Sequence, residues 1–123
     1  SFAWVRECSR VLKPGWIAAL TTRHRDFFPY LASLRGAPDR PDFARGVACA
    51  FVDTDAALAT YDRGDFCFDA KGGGGTGLTP TYGEAAIPQA YAERVYSEFF
   101  RTVHFVSPQY GQHLDQAVIV LQK

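Results

Sequence analysis

The sequence contains no methionine, and it has no charge excess, because 13 basic side chains balance 13 acidic ones. That balance removes any global pull toward nucleic acid or anionic lipid, so neither is expected as a partner. No apolar run approaches the ~20 residues that span a bilayer, and no leader pattern opens the chain. A membrane partner is not expected either. Cysteine is scarce. Cys8, Cys49 and Cys67 cannot all pair within one chain, form no CxxC, and have no histidine at metal-ligand spacing. They read as reduced, partly buried thiols of a cytoplasmic protein. No Ser-His-Asp, Cys-His or metal constellation stands out.

What is present suffices for a core. Of 123 residues, 47% are hydrophobic and 15% aromatic, while the 21% that are charged argue against disorder. One domain, or part of one, is expected. The first residues read as the middle of a helix, with Phe2, Val5 and Leu12 on one face and no cap ahead of them. A fragment of a longer chain is therefore expected.

Residues 2–12 predict an amphipathic helix with Arg6 and Arg10 toward solvent, stopped by Lys13-Pro14-Gly15. The continuous apolar run 16–22 predicts a buried central strand. Residues 27–34 predict a short helix or turn, 36–46 a surface loop and 47–52 a strand. Asp53 or Thr54 can cap a helix to about Tyr61, with Gly64 just past its end. Residues 65–69 alternate like a strand. Pro88 suits the first turn of a helix over 88–100, with Tyr91, Val95 and Phe99 as its buried stripe. Residues 102–106 form a strand with Val103 and Phe105 on one face, and 117–121 form a last strand covered on both faces. The ten-residue loop between these two is too short for a helical crossover, which makes them antiparallel. A mostly parallel sheet with one reversed strand follows.

The stretch Glu7-Cys8-Ser9-Arg10-Val11-Leu12-Lys13-Pro14-Gly15 resembles the E-x-x-R-V-L-K-P-G-G segment before strand five of class I S-adenosylmethionine-dependent methyltransferases. Tyr82-Gly83-Glu84-Ala85 through Ala90-Tyr91 to Phe99 is similar to that family's lead into strand six. Asp115-Gln116-Ala117-Val118-Ile119-Val120-Leu121 resembles its final strand, which inserts antiparallel between the fifth and sixth. The resemblance implies an α/β fold class: the C-terminal part of a Rossmann-like methyltransferase sheet ending in an antiparallel hairpin. Residues 1–123 would be the C-terminal half of the domain, with an insert at about 36–81. The parent would transfer a methyl group from S-adenosylmethionine to a small-molecule acceptor. The family's cofactor-binding glycine loop, ribose-binding acid and adenine-contacting segment fall outside these residues, so this chain alone is not expected to hold the cofactor. Trp16 stands where the family has a second glycine, and its side chain is expected to pack on the preceding helix.

Ligands of open α/β sheets bind beyond the carboxyl ends of strands. Thr22, Arg23 and His24 follow the first strand and are candidate acceptor-binding residues; His24 can act as a base or join Arg23 on an anion. Tyr82 and Glu84, in the region that closes over the acceptor in the family, complete the candidate set, although Glu84 also suits a helix N-terminus. The Lys71-to-Gly77 run lacks a Gly-Lys-Ser/Thr order and reads as a flexible loop rather than a phosphate cradle. His104 reads as a surface-facing strand residue and His113 as a loop residue without a cluster. Methyl transfer needs little from side chains beyond alignment of the acceptor with an activated donor. The other reading is a small non-catalytic α/β module that binds a ligand or partner. A sheet edge left open by a missing half would also favour a homodimer.

Overall fold

A computed structural model describes residues 2–37, 39, 46–71, 83–108 and 116–123. The helices are α1 (Phe2–Val11), α2 (Phe27–Gly36), α3 (Thr54–Asp62) and α4 (Gln89–Tyr96), and the strands β1 (Ile17–Arg23), β2 (Cys67–Asp69), β3 (Glu84–Ala86), β4 (Thr102–Val106) and β5 (Gln116–Gln122). The five strands form one sheet in the order β2-β3-β1-β5-β4.

The last strand lies where the sequence put it. β5 pairs antiparallel with β1 over all seven of its residues, from Ile17↔Gln122 to Arg23↔Gln116, and antiparallel with β4 on its other side. The balance of directions differs from the expectation. β1 and β3 are the one parallel neighbouring pair, meeting at Arg23↔Ala86, while β2 runs antiparallel to β3. The sheet is therefore mixed. The cause is β2, a second reversed strand, which joins the sheet through β3, a three-residue strand just before Ile87-Pro88 that is too short for sequence periodicity to reveal.

The end of the chain clasps its beginning. The Lys123 ammonium donates to the Leu12 carbonyl at 2.8 Å, which places a cation at the C-terminus of α1. The Gly15 N–H donates to the Lys123 carbonyl at 2.8 Å, and the Lys123 N–H donates to the Trp16 carbonyl at 3.0 Å. Gly15 makes this turn at φ +82°, a left-handed conformation that costs glycine nothing. Trp16 does not pack on α1; its side chain is exposed, with the Lys13 ammonium 5.3 Å from the ring centre.

Two cores sit on opposite faces of the sheet. On one face α1 and α4 cover β1, β5 and β4, burying Val5, Ala92, Tyr96, Phe100, Ile119 and Leu121. Full burial of Ile119 or Leu121 stabilises by about 1.5–3 kcal/mol each. α4 ends at Tyr96 rather than at the expected 100; its buried residues are Ala92 and Tyr96, followed by buried Phe100 beyond its end, while the expected Tyr91, Val95 and Phe99 are half-buried. On the other face α2 and α3 pack Phe27, Phe28, Leu31, Phe51 and Tyr61 against Cys67 and Ala86. α3 starts as expected, with the Asp53 carboxylate accepting the Ala56 N–H at 3.0 Å, and ends before Gly64 at φ +81°.

Coverage of this second face stops short, which corrects the expectation of a doubly covered final strand. Ala19, Val120 and His104 share that face across three strands, as do Thr21, Val118 and Val106. Among the described residues no helix packs there: Ile17 and Val106 are exposed, and Val118 and Val120 are half-buried.

Val47 is helical and residues 48–52 are turn and irregular chain, so the expected strand over 47–52 does not form. The Arg35 guanidinium takes the carbonyls of Ala48 (3.0 Å), Phe51 (2.9 Å), Val52 (3.1 Å) and Ala50, so they cannot serve a ladder. Phe51 adopts φ +48°, and its N–H donates to the Asp69 carboxylate at 2.8 Å. That conformation is unusual for a bulky residue and persists because both sides of the peptide are held.

Candidate functional site

The C-terminal end of β1 gathers four of the five residues singled out from the sequence. β1 and β3 meet in parallel at Arg23↔Ala86, which brings β1 together with Glu84, 61 positions away in sequence. Arg23 Nε donates to Glu84 Oε2 at 2.7 Å and Nη2 to Oε1 at 3.1 Å, a two-pronged pair with side-chain exposures of 15% and 13%. The guanidinium also lies 4.6 Å from the Phe27 ring centre. Such a pair is strong in geometry, yet its desolvation cost makes it a device for fixing position more than for net stability.

Thr22 is committed to the backbone. Only 2% exposed, its hydroxyl accepts the Ile87 N–H at 2.7 Å and lies 3.3 Å from the Ala85 carbonyl. It bolts β3 to β1 just beyond their shared register. His24 follows Arg23 in the chain, partly exposed, with Nδ1 3.6 Å from Asp26 Oδ2. Arg25, next along, pairs with Asp62 at 2.8 and 2.7 Å, and this guanidinium holds the Asp62 carboxyl below its ordinary range. Tyr82 lies outside the described residues, as do residues 72–80 of the glycine-rich run and His113. His104 is exposed on β4, as expected.

Each carboxylate oxygen has two lone-pair sites, so Glu84 keeps acceptor capacity after Arg23 takes one on each oxygen. The site can thus accept a hydrogen bond from a hydroxyl or amine at a fixed point. Glu84 does not open α4, whose first residue is Gln89, so the helix-terminus reading of Glu84 is set aside.

Two features escaped the sequence. Asp69 closes β2 with a carboxylate that accepts the N–H groups of Phe51 and Lys71, both at 2.8 Å. A groove of about 580 Å³ opens on the α1 side of the same strands, lined by Trp4, Leu20, Phe66, Phe68, Ala85 and Tyr96. Gly83 and Ala85, which flank Glu84, both border it. Aromatic content hinted at such a lining, but its placement depends on β3.

Among the described residues Asp69 is the one acidic side chain that ends a strand, and its carboxylate accepts two backbone N–H groups. No group of three or more metal-ligating side chains occurs among the described residues. No helix among them is long and apolar enough to cross a membrane. Cys8, Cys49 and Cys67 are thiols; Cys67 is buried, and that burial, with help from the nearby Asp65 charge, pushes its thiol up to about 11. Comparison with protein-family models, curated proteins and solved structures finds no match.

Proposed function

We propose that this chain is the C-terminal part of a cytoplasmic S-adenosylmethionine-dependent methyltransferase that acts on a small-molecule acceptor. One observation carries the reading: β5 runs antiparallel between β1 and β4. This is the placement implied by the resemblance of Glu7-to-Gly15 and of the terminal aliphatic run to that family. The bare second face of β1, β5 and β4 supports it as well. A half-covered sheet of this kind is completed by another layer, and here that layer would come from the rest of the parent.

In this reading the cofactor supplies an activated methyl group, and the parent's other half holds it. This chain contributes the acceptor side. Glu84, fixed by Arg23, accepts a hydrogen bond from the acceptor's hydroxyl or amine, and His24 follows at the end of β1 as a further acceptor contact. Thr22 acts one step removed, by locking β3 so that Glu84 stays at the end of β1. Tyr82 stays a candidate acceptor contact on the resemblance alone.

The gene tests this directly. A glycine-rich strand-loop-helix encoded in frame within about 100 codons upstream is expected, since whole domains of this kind exceed ~150 residues. A start codon immediately before Ser1 would count against it. The second reading, a non-catalytic α/β module that binds a ligand or partner, draws support from how fully Thr22, Arg23 and Glu84 are engaged with the chain itself.

A further inference from the structure

We propose that two copies of this chain associate through the outer edge of β4, in a two-fold antiparallel pair centred on His104. The proposal does not depend on the methyl-transfer reading.

β4 is the last strand of the sheet, and among the described residues nothing pairs with its outer side. The ladder fixes which of its groups face outward. The Lys123 N–H bonds the Trp16 carbonyl in register with β1, so Ala117, Ile119 and Leu121 bond toward β1. The Arg101 N–H bonds the Gln122 carbonyl, so the even-numbered residues of β5 bond toward β4. Thr102, His104 and Val106 are therefore tied to β5. The N–H and C=O groups of Val103 and Phe105 point away from the sheet.

Those two residues match a copy of themselves. In an antiparallel pair centred on His104, Val103 exchanges both backbone bonds with the partner's Phe105, and the symmetry repeats the exchange. Thr102 then lies beside the partner's Val106, and Val103 beside the partner's Phe105. Both are β-branched or aromatic combinations that favour cross-strand contact. A C₂ interface requires this kind of self-matching. The strand carries none of the usual guards: no proline, lysine or acidic residue lies within Thr102–Val106. With 13 charges of each sign, the chain has no net charge to keep copies apart.

His104 would sit against the partner's His104 on the solvent side of the pair, with Cα atoms about 4.5 Å apart as in any non-bonded antiparallel pair. The side chains facing it are Val118, Val120 and Gln122 from β5, with Thr102 and Val106 on its own strand. None of these is charged, and no helix among the described residues covers this face. Like charges directly opposite one another destabilise a strand pair, so a fixed positive charge placed at this position in both copies would oppose the association. One strand pair buries less than a standard interface, so a weak, concentration-dependent dimer is expected.

The test is sedimentation equilibrium of the full chain across a wide concentration range in neutral buffer. A concentration-dependent dimer supports the proposal, and the uncharged His104→Gln should keep it. Val103→Pro removes an outward N–H without touching the bonds to β5 and should give a monomer. Should that variant fail to fold, as judged by far-ultraviolet circular dichroism, His104→Lys at an exposed position serves in its place and should also give a monomer. A concentration-independent monomer of the unaltered chain overturns the proposal. So does a dimer that survives in folded Val103→Pro or in His104→Lys.

Discussion

Replacing Thr22 by valine isolates the bolt between β1 and β3. Valine has nearly the same shape, so packing around this buried position is kept and only the hydroxyl is lost. The Ile87 N–H, which donates to that hydroxyl at 2.7 Å, is left buried without an acceptor. An unmet buried donor costs about 1–3 kcal/mol. The contact with the Ala85 carbonyl is long, at 3.3 Å, and adds less. A loss of about 2–3 kcal/mol is therefore expected for Thr22→Val. Thr22→Ser makes the opposite deletion: it keeps the hydroxyl and removes one methyl, for about 1 kcal/mol. At this chain length each kcal/mol shifts Tm by about 4 °C. The valine variant should melt roughly 10 °C below the parent sequence and the serine variant roughly 4 °C below, by circular dichroism with matched denaturant slopes. A valine variant as stable as the parent sequence, or more stable than the serine variant, would refute the structural role given to Thr22.

Gly83→Ala should be among the most damaging single changes, because the added Cβ would fall 2.7 Å from Ala70 Cα and 2.8 Å from the Asp69 carbonyl carbon. Backbone cannot yield there cheaply, and a loss on the order of 3–5 kcal/mol in urea unfolding is expected; a loss under about 1 kcal/mol would contradict the close approach of β2 and β3. Glu84→Ala leaves the Arg23 guanidinium largely buried without its carboxylate and should cost about 3 kcal/mol; an unchanged unfolding midpoint would contradict that coupling. Cys67 gives a pH signature. Its thiol titrates at about 11 in the fold against 9.0 for an ordinary thiol, so the neutral form is favoured by folding. The stability this contributes is whole below pH 9 and declines as the pH rises through 11. Thiol labelling near pH 8 should modify exposed Cys49 well before Cys67; equal rates would contradict the burial.

How much of this was legible beforehand varies with the reach of the forces involved. The helix at Thr54 was readable because its cap, Asp53, is local. The reversed final strand was readable because a short loop leaves few ways to connect two apolar runs. Residues 47–52 were not: VACAFV has a strand's composition, but Arg35, 13 to 17 positions earlier, takes its carbonyls. The exposure of one side of β5 could not be read from residues that are aliphatic on both sides; only the placement of α1 and α4 reveals it. At the candidate site the residue types were visible and their relation was not. Arg23 and Glu84 were named separately, and their pairing across 61 positions depends on β3, three residues long.

The functional account is tested most directly by titrating S-adenosylmethionine, by calorimetry, into two proteins: this 123-residue chain and the longer product that the account expects from the same reading frame. The account expects saturable binding to the longer product and none, or only weak binding, to the chain alone. Submicromolar binding by the isolated chain, or no binding by either protein, would contradict it.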